Sequence, residues 1–157
     1  MRANRPVLVI ADASVLAQWF LPDEETCPGT ERLMTDVGSR HVTLLEPPLL
    51  VHELTNTLSV AVKRRRIPDE DALLAWQAFS GLGMLFSNPG GYGPSILRLS
   101  LLPGVTAYDA SYVALAEDHH CIFYTADKRL AAALRGHSDR VRMISEYRGI
   151  PENRQSP

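Results

Sequence analysis

Four carboxylic acids stand where apolar segments meet helices: Asp12 in VLVIADASVL, Glu53 in PPLLVHELTNTL, Asp109 in TAYDASYVALAE and Asp127 in CIFYTADKRL. Drawn into one pocket, four anions repel one another unless protons or a cation hold them together. Hard oxygen donors of this kind favour Mg²⁺ or Mn²⁺, ions that keep several waters and bridge readily to phosphate. An ion so held lowers the pKa of its bound water and polarises the oxygens it binds. The set carries the chemistry, more than any one member.

Each acid also has a local reading. Asp12 and Asp127 each precede a helix, and Asp is a preferred N-cap. Thr106-x-x-Asp109 has the form of a capping box. Glu53 lies within a helix beside the apolar Leu50 and Leu54, where a glutamate on its own is ordinarily solvated. Asn56 and Thr57 follow one turn on, on the same side. Ser14 and Thr125 are placed to orient carboxylates, with local capping the expected role of both.

The elements that must position these acids follow from patterning. Val7 to Ala11 is a continuous apolar run suited to a strand covered on both faces, and ASVLAQWF after Asp12 is a short helix stopped by Pro22. Thr30 to Val37 is helical with Gly38 as its stop, and Val42 to Glu46 is a second strand. Pro47 and Pro48 open a longer helix whose stripe is Leu50, Leu54, Leu58 and Val62, ending in Lys63-Arg64-Arg65-Arg66. That basic run suits a helix C-terminus. Pro68-Asp69-Glu70-Asp71 starts a helix that runs to about Leu82, before Gly83.

Met84 to Phe86 is a short strand, and Asn88 to Pro94 (NPGGYGP) a surface loop. Helices over Ile96 to Leu102 and Thr106 to Asp118 come next. Ile122 to Thr125 is a strand, Lys128 to Leu134 a helix and Val141 to Ile144 a last strand. Strands alternating with helices define an α/β fold with a largely parallel central sheet flanked by helices. In such sheets ligands bind outside the carboxyl ends of the strands. Asp12 and Asp127 both emerge there.

Composition narrows the function classes. The 157 residues, 45% hydrophobic and 22% charged, suit one globular domain. No apolar run approaches the roughly 20 residues of a membrane span. VLVIA is too short for a secretory signal, so a cytoplasmic location is expected, with no membrane partner. Cys27 and Cys121 make neither a disulfide framework nor a zinc ligand set, and Cys121 reads as a small buried hydrophobe. His52-Glu53 begins like H-E-x-x-H, but Asn56 stands at the second histidine position, which excludes that zinc site. A net charge of −2 argues against a protein that coats duplex nucleic acid, although Lys128, Arg129, Arg135, Arg140 and Arg142 recur near the end of the chain.

In their order, DASV, PPLLVHELTNTL, TAYDASYVALAE and YTADKRL resemble the PIN-domain family, and within it the VapC-type toxins of bacterial toxin–antitoxin pairs. The resemblance runs from about Val7 to Ile144. It implies a single PIN-like nuclease domain over residues 1–150, followed by a polar tail over 151–157. It implies that Asp12, Glu53, Asp109 and Asp127 are the catalytic, metal-ligating set, with Asp12 and Asp109 the principal ligands of Mg²⁺ or Mn²⁺. The implied activity is endoribonucleolytic hydrolysis of RNA, and the implied partners are a cognate antitoxin and a second copy of the chain in a homodimer. Apolar stripes on the Arg64–Leu82 region or on the ASVLAQWF helix are the candidate contact surfaces. The NPGGYGP segment and Pro103-Gly104 depart from the family pattern, which bears on the substrate groove more than on the chemistry.

Two other readings compete. A PIN-like scaffold without metal chemistry would bind RNA or a partner, but the acidic set is complete. A phosphatase with an aspartyl nucleophile would want a second aspartate two residues after Asp12, where Ser14 stands.

Overall fold

The apolar run Val7–Ala11 forms β1, at the centre of a five-stranded sheet. In this computed structural model, which describes residues 5–151, β1 lies between β2 (Val42–Glu46) and β4 (Ile122–Thr125). The edges are β3 (Leu85–Phe86) and β5 (Val141–Met143), giving the order β3-β2-β1-β4-β5. Every pairing is parallel, and Val9 stands opposite both Leu44 and Ile122. A strand covered on both faces must be apolar throughout, and Val9, Ile10 and Ala11 are buried. The expected α/β class with a parallel sheet is what the chain adopts.

Parallel neighbours need crossovers, which the helices supply. They are α1 (Ala13–Phe20), α2 (Pro28–Gly38), α3 (Leu49–Lys63), α4 (Asp69–Ser80), α5 (Gly93–Ser100), α6 (Ala107–Asp118) and α7 (Lys128–Leu134). On α3, Leu50, Leu54 and Leu58 are buried, so the predicted stripe faces the core. α6 is buried on more than one face, through Tyr112, Val113, Ala114, Leu115 and Ala116, and Tyr112 stacks on Phe123 of β4 at 5.4 Å between ring centres. That stacking holds the face of α6 that carries the tyrosine against the sheet. Cys121 is buried, as its setting suggested.

Several local expectations need correction. Gly38 is the last residue of α2 rather than its stop, and the left-handed turn falls to Arg40 at φ 60°. The segment Asn88 to Pro94 is not an open loop. Asn88 caps a 3₁₀ turn over Pro89–Gly91, Tyr92 is buried, and α5 already begins at Gly93. Its two prolines sit in first helical positions, where a missing N–H costs nothing, so the composition punctuates two turns.

β5 ends at Met143, because Ile144–Glu146 tightens into a 3₁₀ turn closed by Glu146 on the Met143 N–H at 2.7 Å. In the basic run, Arg66 forks onto Asp23 at 2.7 and 2.8 Å and reaches Glu24 at 2.6 Å, tying the end of α3 to the loop after α1. Residues 152–157 of the expected tail lie outside the described residues. Among the described residues no helix is long and apolar enough to cross a membrane.

Candidate active site

The carboxyl ends of β1 and β4 lead into Asp12 and Asp127, while Glu53 and Asp109 come from α3 and α6. Asp12 follows β1 and caps α1, its Oδ1 accepting the N–H groups of Ser14 (3.0 Å) and Val15 (3.2 Å). The cap is only part of its setting. Ser14 Oγ donates to Oδ1 at 2.5 Å, and Thr125 Oγ1, at the end of β4, donates to Oδ2 at 2.5 Å. The two hydroxyls are themselves fixed. Ser14 Oγ accepts the Ala126 N–H at 2.9 Å, and Thr125 Oγ1 accepts the Asp127 N–H at 3.0 Å. Local capping was the expected role of Ser14 and Thr125. The structure makes them orienting partners of Asp12, because β4 lies beside β1 and brings Thr125 across a gap of 113 residues in sequence.

Asp12 is buried, and that burial raises its pKa from 3.8 to about 6, against the lowering effect of its hydroxyl and backbone donors. A carboxylate that accepts four hydrogen bonds would usually stay strongly acidic. Desolvation wins here.

Glu53 projects from α3 and is half-buried. The Tyr112 hydroxyl of α6 donates to its Oε2. Burial raises the Glu53 pKa, and the negative charges of Asp12 and Asp109 raise it further. Three of the four predicted acids thus share one electrostatic neighbourhood. Asn56, expected beside Glu53, is exposed.

A fifth carboxylate escaped the sequence reading. Glu46 ends β2 and is fully buried. Its Oε1 accepts the Ala11 N–H at 2.9 Å, and its Oε2 is buried with no partner. Burial first, and then Asp12 and Glu53, push its pKa well up. The signal was present: Glu46 occupies on β2 the terminal position that Ala11, just before Asp12, occupies on β1.

Asp109 opens α6 in the expected capping box. Its Oδ2 accepts from the Thr106 N–H (3.2 Å) and hydroxyl (2.8 Å), and its own N–H returns to Thr106 Oγ1 at 3.1 Å. Asp127 caps α7 through Oδ1 on the N–H groups of Arg129 (2.8 Å) and Leu130 (3.1 Å). It reaches Asp12 only through Thr125. Asp12 and Glu53 thus act on Glu46, Asp109 adds its charge at Glu53, and Asp127 connects to Asp12 through Thr125.

Among the described residues no three Asp, Glu, His or Cys side chains converge tightly enough to ligate one ion as they stand. The donor chemistry nevertheless suits a hard divalent cation. All the donors are oxygens, one buried carboxylate oxygen has no partner, and burial holds Asp12, Glu46 and Glu53 toward protonation, with neighbouring carboxylates adding repulsion at Glu46 and Glu53. A cation would relieve that repulsion in exchange for local hydrogen bonds.

A parallel sheet with carboxylates gathered at its carboxyl edge is the architecture of a PIN-like α/β protein. No protein-family model matches the chain, but individual relatives do. It is 31% identical over 124 residues to ribonuclease VapC9 of Mycobacterium tuberculosis, covering 79% of this chain and 89% of that protein. It is 29% identical over 127 residues to ribonuclease VapC3 of Pyrobaculum aerophilum, covering 78% and 92%. The chain belongs to the VapC family of PIN-domain proteins.

Solved structures share the fold. PAE2754 from Pyrobaculum aerophilum superposes with a TM-score of 0.61 at 23% identity, over 81% of this chain and 79% of that one. Mycobacterium tuberculosis VapC20, described as a sarcin–ricin-loop-cleaving toxin, gives 0.56 at 12% identity over 80% and 94%. FitAcB from Neisseria gonorrhoeae gives 0.56 at 16% identity over 88% and 99%.

Proposed function

We propose that this chain is the toxin ribonuclease of a toxin–antitoxin pair, cutting RNA by metal-dependent endonucleolytic hydrolysis. The observation that carries this reading is the pair of oriented carboxylates at the sheet's carboxyl edge, Asp12 held by Thr125 of β4 and Glu53 held by Tyr112 of α6, in a chain of the VapC family. Asp12 and Asp109 would be the principal ligands of Mg²⁺ or Mn²⁺, with Glu53 and Asp127 completing the shell directly or through water. Such an ion supplies a water of lowered pKa and offsets charge that builds on the phosphate.

The protein's own groups do the rest. Ser14 and Thr125 fix the plane of the Asp12 carboxylate, so its oxygens need no reorganisation during reaction. Tyr112 holds Glu53 by Oε2, which leaves Oε1 to accept a proton from water approaching the phosphate. Burial raises its pKa, which makes it the stronger base. Lys128 and Arg129, exposed in the first turn of α7, lie where they can meet the RNA backbone. Leu73 and Leu74 leave an exposed apolar stripe on α4 for the antitoxin or for a second copy in a homodimer. α1 instead buries Val15, Leu16 and Ala17.

The test is cleavage of end-labelled RNA by the purified protein in Mg²⁺ or Mn²⁺, beside Asp12→Asn and a sample in EDTA. Asparagine also caps helices well, so that variant keeps the fold. Cutting by the wild type alone, stopped by EDTA, is the expected result. Equal behaviour of all three samples would leave a binding scaffold.

A further inference from the structure

Beside α7 and β5 lies a cavity of about 320 Å³ that the chemistry above leaves unused. Arg135, which closes α7, lines it together with Arg142 of β5, Ser138 of the connection, and Leu134 and Met143. Arg142 is half-buried, and its Nη1 donates to the backbone carbonyls of Asp139 (2.8 Å) and Val141 (2.7 Å). Those bonds orient the planar guanidinium in advance and leave its other nitrogens as donors for a ligand. Arg135 is exposed. Glu146 also lines the cavity, but its Oε2 is engaged by the Met143 N–H at 2.7 Å. Two guanidinium charges against one carboxylate leave the cavity positive.

A positive cavity with one pre-oriented guanidinium fits a phosphate, whose oxygens match the fork of arginine donors. Its position connects it to the acids. Met143 pairs with Thr125, and β4 separates β5 from β1. The Met143 end of the cavity is therefore two strand spacings, about 10 Å, from the strand end that carries Asp12, and the Arg142 guanidinium, bonded to Asp139 and Val141, lies further off toward the start of β5. We propose that this cavity seats a backbone phosphate of the RNA strand to one side of the bond that is cut, and so sets the register of the strand across the acidic pocket. The proposal rests on the ribonuclease reading. Phosphate contacts of this kind fix register and carry no base sequence of their own.

The test is binding of a fluorescent single-stranded RNA oligonucleotide to the full chain in EDTA, so that no cutting is needed, across a range of salt. Wild type is compared with Arg135→Gln/Arg142→Gln. The control is Arg64→Gln/Arg65→Gln, an equal charge change at the exposed C-terminal end of α3. The cavity variant is expected to bind roughly tenfold more weakly at low salt, with a log–log salt slope shallower by about 1.4. The control pair should match wild type.

In Mg²⁺ the same cavity variant is expected to raise KM for RNA and keep kcat within about twofold. Arg135→Gln alone, at an exposed position, should give a smaller loss in the same direction with unchanged melting. Equal losses in both double variants, or none in either, overturn the proposal. If wild type cuts RNA while the cavity variant binds and cuts as well as it does, the subsite fails and the ribonuclease reading stands. A wild type that neither binds nor cuts RNA removes both.

Discussion

Glu46 Oε1 accepts the backbone N–H of Ala11 at 2.9 Å, so the last residue of β2 completes β1 with its side chain rather than its backbone. The bond fixes the residue before Asp12, and it commits a buried carboxyl to the interior of the site. Burial first, and then Asp12 and Glu53, push the Glu46 pKa well up and so favour its neutral form. Its role is therefore geometric, and a neutral isostere should fill it. Glu46→Gln is expected to stay within about 1 kcal/mol of wild-type stability and to keep RNA cleavage. Glu46→Ala orphans the Ala11 N–H and opens a cavity, costing about 3 kcal/mol. Urea midpoints of the two variants decide the matter, and a Gln variant as damaged as the Ala variant would show that the charge matters.

The raised acids also set how stability follows pH. Asp12 rises from 3.8 to about 6, chiefly through burial, so the folded chain holds its proton more tightly than the unfolded chain does. Stability from this group is then full below about pH 4 and declines as pH climbs to about 6, by on the order of 2 kcal/mol. Glu53 and Glu46 shift in the same direction. In EDTA the melting temperature should fall between pH 4.5 and pH 7. Millimolar Mg²⁺ should restore it at neutral pH and do little at pH 4.5, because the ligands must be deprotonated. A melting temperature that rises with pH in EDTA would contradict this account of the pocket.

Asp127 is set apart by its contacts. Its oxygens serve the start of α7, and Arg129 Nη2 stands 3.8 Å from Oδ2. Asparagine preserves an N-cap almost fully. Asp127→Asn is thus expected to leave melting unchanged and to reduce RNA cleavage about tenfold, against a hundredfold or more for Asp12→Asn. Comparing single-turnover rates of the two variants at saturating Mg²⁺ tests the ranking. Equal losses would place Asp127 on the same footing as Asp12.

Periodicity and turn chemistry made most of the fold legible. The run Val7–Ala11, the leucine stripe of α3 and the Thr106 capping box all name their own structures, because each is decided within a few residues. The same logic found Asp12 and Asp109. It overlooked Glu46, since an acid ending a strand looks like an exposed terminus until β1 is laid beside it. Thr125 was misjudged for a related reason. Its hydroxyl has a good local bond to the Asp127 N–H, and the bond to Asp12 exists only once β4 pairs with β1. The segment Asn88 to Pro94 failed differently, because Gly and Pro mark helix starts as readily as open loops.

Gly29 and Gly38 stand at opposite ends of α2, and their surroundings predict opposite responses to the same substitution. A Cβ on Gly29 would lie 1.9 Å from the Ile144 carbonyl oxygen, a backbone atom that cannot swing aside. Gly29→Ala must therefore push α2 off the segment that follows β5. That segment is tied to α2 by the Tyr147 hydroxyl and the Ile150 N–H, which both donate to Asp36 Oδ2, at 2.7 and 3.2 Å. A loss of about 3 kcal/mol or more is expected. At Gly38 a Cβ meets nothing within 4 Å, and Gly38→Ala should gain up to roughly 0.5–1 kcal/mol by restricting the unfolded chain. None of the site carboxylates bonds to α2 or to this segment, so both variants should keep wild-type cleavage per folded molecule. Thermal melts with RNA cleavage measured well below each midpoint separate the two effects. A Gly29→Ala protein that melts like wild type would mean that α2 and the Ile144 turn are less closely apposed than described.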